Sequence, residues 1–205
     1  MKKILIHGSG HKADSWNKVV SYMNNKDILC PKLSTILNGK EASYTNLYYS
    51  FVEYCNKIDG PIELCGLSLG GILALNYAID YPNKVEKLIL IGTPHKVPKV
   101  MFSIQNVIFK FLPKSLFETM AFNKKDTFIL GKTMKNLDFS NGVQNIKCPT
   151  LIICGEKDSA NMKSAYYIAE NIKNAKLEIM KNTGHIVNEE NPEELARLLN
   201  EFWKD

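Results

Sequence analysis

Short apolar runs rich in β-branched residues, at 3–7, 27–30, 62–66, 85–91, 150–154 and 176–180, are separated by longer stretches with helical periodicity at 16–24, 44–57, 69–80, 161–171 and 192–203. A strand that feeds a helix and then another strand returns to the sheet in parallel, so this alternation predicts an α/β chain. The sheet should be doubly wound, with helices on both faces. The last helical stretch carries its own start signal, Asn191-Pro192-Glu193-Glu194, with a capping residue, a proline at the first helical position and acids in the first turn.

The rhythm breaks between 95 and 140, where Phe102, Ile104, Val107, Phe109, Phe117 and Phe122 crowd a segment with no strand pattern. So many large apolar side chains need burial, and two or three short helices laid over the sheet are expected there. At 205 residues and 45% hydrophobic content the chain is long enough for one closed core. The organisation expected is a single domain, with core 1–94 and 141–205 and a cap insertion at 95–140.

Several function classes drop out. The formal charge is +5, but the lysines are scattered and form no block, so no nucleic-acid partner is expected. The run Ile4-Leu5-Ile6 after Met1-Lys2-Lys3 is too short for a secretory core or a membrane span, which predicts a cytoplasmic protein. Five cysteines, an odd number with no CxxC spacing, indicate neither a disulfide framework nor a zinc site, and no metal or organic cofactor is expected.

Chemistry concentrates in Ile62-Glu63-Leu64-Cys65-Gly66-Leu67-Ser68-Leu69-Gly70-Gly71, an apolar strand running through G-x-S-x-G into a helical pattern. A turn sharp enough to raise a serine hydroxyl above a sheet leaves no room for side chains two before and two or three after it, and glycines stand there. Three specified residues also recur by chance. Placement between an apolar strand and an apolar helix is what gives the pattern weight.

A serine hydroxyl needs a base within hydrogen-bond reach, and the base needs an acceptor that fixes its tautomer. Of the four histidines, His7 and His11 flank the glycines after the first strand and are read as structural, although His11 is close enough to line a pocket. His95 follows Pro94 after the fourth strand. His185, in Thr183-Gly184-His185 after the last strand, falls at the strand end where an open parallel sheet forms its ligand crevice. The acid comes from Gly155-Glu156-Lys157-Asp158, with Asp158 preferred over Glu156 because it sits farther past the strand. Backbone N–H groups for the oxyanion are expected from Leu69 at the helix start and from Ser9 in His7-Gly8-Ser9-Gly10.

HGSG, GLSLGG, GEKD and TGH, in that order along nearly the whole chain, together resemble the α/β-hydrolase superfamily, in particular its compact serine esterase and thioesterase-like members. Trp16 and Ile91-Gly92-Thr93-Pro94 fit the same pattern. The resemblance implies Ser68 as nucleophile, Asp158 as acid, His185 as base, and Ser9 with Leu69 as oxyanion hole. This sequence starts at the HG-bearing strand, so a six-stranded parallel sheet without the family's N-terminal hairpin is expected, and the short cap implies an open pocket.

The function expected is hydrolysis of a small-molecule acyl ester or thioester, free or held on an acidic carrier that meets Lys110 and Lys114 of the cap. Serine at the elbow disfavours the dehalogenase and epoxide-hydrolase members. The alternatives are a ligand-binding or signalling protein without turnover, and an amidase or peptidase on the same fold. The sequence leaves the oligomeric state open.

Overall fold

The computed structural model describes residues 1–25, 27–97 and 113–204, with the side chains of Lys114 and Leu116 outside that set. The strands are β1 Lys2–Ile6, β2 Ile28–Leu29, β3 Ile62–Leu67, β4 Val85–Ile91, β5 Thr150–Gly155 and β6 Ala175–Met180. The helices are α1 Asn17–Tyr22, α2 Leu33–Ile36, α3 Tyr44–Asn56, α4 Leu69–Asp80, α5 Lys114–Glu118, α6 Lys124–Met134, α7 Ser159–Asn171, α8 Val187–Glu190 and α9 Pro192–Phe202, with 3₁₀ turns at Ala13–Trp16 and Val143–Asn145.

The strands form one six-stranded sheet in the order β2-β1-β3-β4-β5-β6, and every neighbouring pair is parallel. This is the open α/β-hydrolase architecture. Alternate strand residues face opposite layers, as the pleat requires. Ile4, Ile6, Leu64, Leu88, Leu90 and Ile152 pack with α3, α4 and α7, whereas Leu5, Cys65, Leu67, Ile89, Leu151 and Ile153 pack with Trp16, Val19 of α1 and Leu195 and Leu199 of α9.

The chain leaves β1 toward β2 on one side and leaves β3 toward β4 on the other. Loops that part in this way open a crevice at the carboxyl ends of β1 and β3, the topological switch point of an open sheet. Two details depart from the expected pattern. β1 ends at Ile6, one residue before the expected end, and the His7 ring that follows bonds the Gly8 carbonyl and the Leu33 N–H. The four-residue helices α2 and α8 were not expected, being too short to carry a readable periodicity.

Between β4 and β5 the chain runs through α5 and α6. The two ends of this excursion are pinched together by an antiparallel bridge between Lys96 and Asp138, reinforced by a 2.7 Å ion pair of the same residues. The excursion reaches back to the crevice, since the Ala121 N–H donates to the Ser9 carbonyl at 3.3 Å and Lys12 Nζ donates to the Glu118 carbonyl at 2.6 Å. The first part of the expected apolar stripe, from Phe102 to Leu112, and the cap lysines Lys99 and Lys110 lie outside the described residues. No helix among the described residues is long and apolar enough to cross a membrane.

Candidate active site

Ser68 sits between β3 and α4 with φ 55° and ψ −113°, a conformation that a non-glycine residue adopts only under constraint from its surroundings. The constraint is visible. The Ser68 N–H donates to the Ile91 carbonyl at 2.9 Å, which ties the turn to the end of β4. A Cβ at Gly66 would lie 2.2 Å from the Gly70 carbonyl oxygen, and one at Gly70 would lie 2.1 Å from that of Ile6. The strand thus meets the helix start, and the helix start meets β1, with no room for a side chain at either place.

Leu69 is the first residue of α4, so its N–H has no carbonyl one turn earlier to bond. The turn after β1 lies against the elbow: a Cβ at Gly8 would stand 3.5 Å from Ser68 Cβ. Ser9 is next in that turn, held through its carbonyl by Ala121. Both segments expected to supply oxyanion donors therefore border the serine.

Asp158 and His185 are brought together, with His185 Nδ1 2.7 Å from Asp158 Oδ2. The carboxylate is buried, and Asn161 Nδ2, three residues on, donates to both of its oxygens at 3.0 Å. Burial pushes the Asp158 carboxyl up, but the hydrogen bonds from His185 and Asn161 outweigh it and hold the carboxyl below its ordinary range. Asp158 occupies the position before α7, yet its side chain makes no capping bond, so its polar capacity is spent on the imidazole and the amide. Asn161 is a contributor that the sequence pattern did not single out, because a polar residue in the first turn of a helix is unremarkable until its partner is known.

Gly92 joins the two halves. It follows Ile91, which holds the Ser68 N–H, and at φ 52° it passes so close that a Cβ would stand 2.9 Å from His185 Nδ1 and 3.2 Å from Asp158 Oδ2. The serine turn and the acid–imidazole pair thus abut the same residue. No hydrogen bond among the described residues joins Ser68 to His185.

Other charged and polar groups fall outside this cluster. Glu156 turns away from the imidazole and accepts the Asn182 N–H at 2.8 Å. His95 stacks on Tyr167 with centroids 4.1 Å apart and bonds Ser164 Oγ at 3.0 Å. His11 Nε2 lies 3.6 Å from Glu189 Oε1. No group of three His, Cys, Asp or Glu among the described residues comes together as metal ligands would.

His7 is buried, donating from Nδ1 to the Gly8 carbonyl at 2.8 Å and accepting the Leu33 N–H on Nε2 at 3.2 Å. Accepting at Nε2 requires the neutral ring. Burial, aided by His11, lowers the His7 pKa below 6.5, against smaller opposing effects of Gly8 and Asp14. As pH falls through about 6.5 the unfolded chain takes up the proton first, so stability is fully present above that pH and declines below it, by at most about 1.4 kcal/mol per pH unit for this group. Urea titrations between pH 8 and pH 5 are expected to show that acid-side decline. A stability that rises as pH falls from 7 to 5.5 would contradict the assignment of a neutral His7.

Comparison with known proteins finds similarity to hydrolases. A hydrolase family model described as "Serine aminopeptidase, S33" matches residues 45–138. The chain is similar to monoacylglycerol lipase ABHD6 of Homo sapiens, at 23% identity over 97% of this chain and 74% of that protein. It is also similar to the pimeloyl-[acyl-carrier protein] methyl ester esterase of Wigglesworthia glossinidia brevipalpis, at 27% identity over 76% of this chain and 74% of the relative. Among solved structures, a hydrolase from Pseudomonas aeruginosa PA01 superposes with a TM-score of 0.82 over 100% of this chain and 90% of its own, at 16% identity.

Proposed function

We propose that this chain, a member of the α/β-hydrolase superfamily, cleaves a carboxylic ester or thioester through an acyl-enzyme on Ser68. The observation that carries the reading is the 2.7 Å contact of His185 with a buried, hydrogen-bonded Asp158, beside a serine turn held at φ 55°. Such a turn costs folding energy, of order 1–3 kcal/mol, and persists where function needs it.

In this reading Ser68 Oγ attacks the carbonyl carbon while His185 Nε2 takes its proton, and Asp158 stabilises the imidazolium that forms. The N–H groups of Ser9 and Leu69 receive the negative charge that develops on the carbonyl oxygen. Collapse breaks the bond to the alkoxide or thiolate, which leaves with the proton from His185. Water, deprotonated by His185, then attacks the acyl carbon and regenerates Ser68. The contact between Ser68 and His185 closes when substrate is bound, as such contacts commonly do.

Ester specificity is supported by the two curated relatives above, both named for ester hydrolysis. The name of the second also favours an acyl group on a carrier protein, with Lys110 and Lys114 as the sequence's candidates for meeting it. The amide reading has a specific observation behind it too, since the matching family model is named for a peptidase. Rates on p-nitrophenyl esters of increasing acyl length, on a matched thioester and on the matched p-nitroanilide separate these. Ester and thioester turnover with no anilide cleavage is expected. Comparable kcat/KM on the anilide would overturn ester specificity, and a single stoichiometric release of product would favour a ligand-binding protein.

Asn161 gives a further test. Asn161→Leu removes the donor to both oxygens of Asp158, so the carboxyl rises in pKa and a buried charge loses a partner worth about 1.5–3 kcal/mol. A matching loss in chemical denaturation and a lower kcat with KM little changed are expected. Unchanged stability would show that water replaces the amide.

A further inference from the structure

The base stands on a loop whose backbone is tied down by side-chain carboxylates. Glu190, the last residue of α8, turns back on the loop, its Oε2 accepting the Gly184 N–H at 2.7 Å and its Oε1 accepting the Ile186 N–H at 3.2 Å. These are the two amides on either side of His185. One carboxylate spans the base.

Several features converge on this arrangement. A Cβ at Gly184 would stand 2.8 Å from Glu190 Oε1, so the glycine is what lets the carboxylate approach. From the other side, Glu156 accepts the Asn182 N–H and the Lys157 N–H donates to the Thr183 carbonyl at 2.9 Å. Gly155 is packed so tightly against this loop that a Cβ there would stand 2.0 Å from the Gly184 carbonyl oxygen. The segment from Asn182 to Ile186 is therefore fixed on the β5 side by the acid's own loop. Toward α8 it is fixed by Glu190.

We propose that Glu190 is a positioning residue for His185: by holding the amides of Gly184 and Ile186 together it sets the direction in which the imidazole leaves the backbone, and so keeps Nδ1 on Asp158. The proposal rests on the reading of His185 as the catalytic base. Glu190 touches neither substrate nor the reacting atoms. Its carboxylate is solvent-exposed, so its two charge-assisted bonds contribute little to global stability and act through local geometry. A displacement of about 1 Å in a base is enough to cost on the order of 100-fold in rate.

The chemistry of the amide variant is informative. Glu190→Gln puts an NH₂ group in place of one of the two acceptor oxygens, so in the native pose only one of the two backbone donors keeps its partner. Glu190→Ala keeps none. Glu193→Gln removes the same charge from the exposed first turn of α9 and serves as the control for a long-range electrostatic effect.

The experiment measures kcat and KM on a p-nitrophenyl ester for the four proteins, alongside the downfield proton NMR signal of the imidazole N–H that His185 shares with Asp158. That signal needs no turnover. The expected result is a kcat lowered about 10- to 100-fold in Glu190→Ala and less in Glu190→Gln, with KM little changed. The NMR signal should be broadened or lost in the alanine variant, and Glu193→Gln should match the native protein in both. A sharp native-like signal with unchanged kcat in Glu190→Ala would overturn the proposal, as would an equal loss in Glu193→Gln. Absence of ester turnover in the native protein, with the signal present and sensitive to Glu190, would instead sink the hydrolase reading and leave the positioning role standing.

Discussion

Ser68→Ala is expected to lower kcat on an ester substrate by about 10⁴- to 10⁶-fold while leaving KM within a few-fold of the native value. In the proposed mechanism the hydroxyl oxygen is the atom that bonds the acyl carbon. Removing it leaves the oxyanion donors and the binding surface intact, so a small residual rate above water is expected rather than none. Stability should respond in a separate way. Because Ser68 is held at φ 55°, Ser68→Gly relieves a strained backbone and is expected to raise the unfolding free energy by about 1 kcal/mol, with the same loss of activity. Denaturation of the three proteins checks the stability half, and ester kinetics on the same three the activity half. A glycine variant that is less stable than the native protein would show that the turn is not strained.

Gly70→Ala is the second large effect. Its Cβ would be placed 2.1 Å from the Ile6 carbonyl oxygen, 2.6 Å from the Ile6 carbonyl carbon and 2.8 Å from the His7 carbonyl oxygen. All three are backbone atoms, so no rotamer change relieves the overlap. The start of α4 must move off the end of β1, and the loss is expected to exceed about 3 kcal/mol. The same movement separates Ser9 from Leu69, so whatever folded protein remains should have a depressed kcat. Gly10→Ala is the matched control. A Cβ there meets nothing within 4 Å, and a change within about 0.5 kcal/mol is expected. Similar urea midpoints for the two variants would contradict the close approach of α4 to β1.

The strand–turn–helix unit around Ser68 was legible because every constraint on it is local. β4 and α4 have the bounds expected from the pattern, and β3 runs one residue beyond its expected end. That Asp158 rather than Glu156 stands against His185 was also legible, since Asp158 lies two residues farther past the end of β5. The structure gives the two acids complementary places, Asp158 on the ring of His185 and Glu156 on the backbone of the same loop.

What was not legible depends on contacts between residues far apart or on elements too short to show a period. The role of His7 needed the Leu33 N–H of α2, a four-residue helix with no pattern of its own. Asn161 looked like the start of a helix that in fact begins at Ser159. Glu190 was not singled out: it is one of two adjacent acids before Asn191-Pro192, and nothing in the sequence says that its side chain turns back toward Gly184 and Ile186. The edge strand β2 is only Ile28–Leu29, one residue shorter at each end than the expected 27–30, and pairs with β1 alone.

The central claim is that Ser68 is an activated nucleophile in an assembled site, and it is tested most directly by intact-mass labelling with a fluorophosphonate. The native protein is expected to gain one phosphonyl adduct, and Ser68→Ala none. A folded native protein that gains no adduct, or a Ser68→Ala variant labelled as fully as the native, would contradict it.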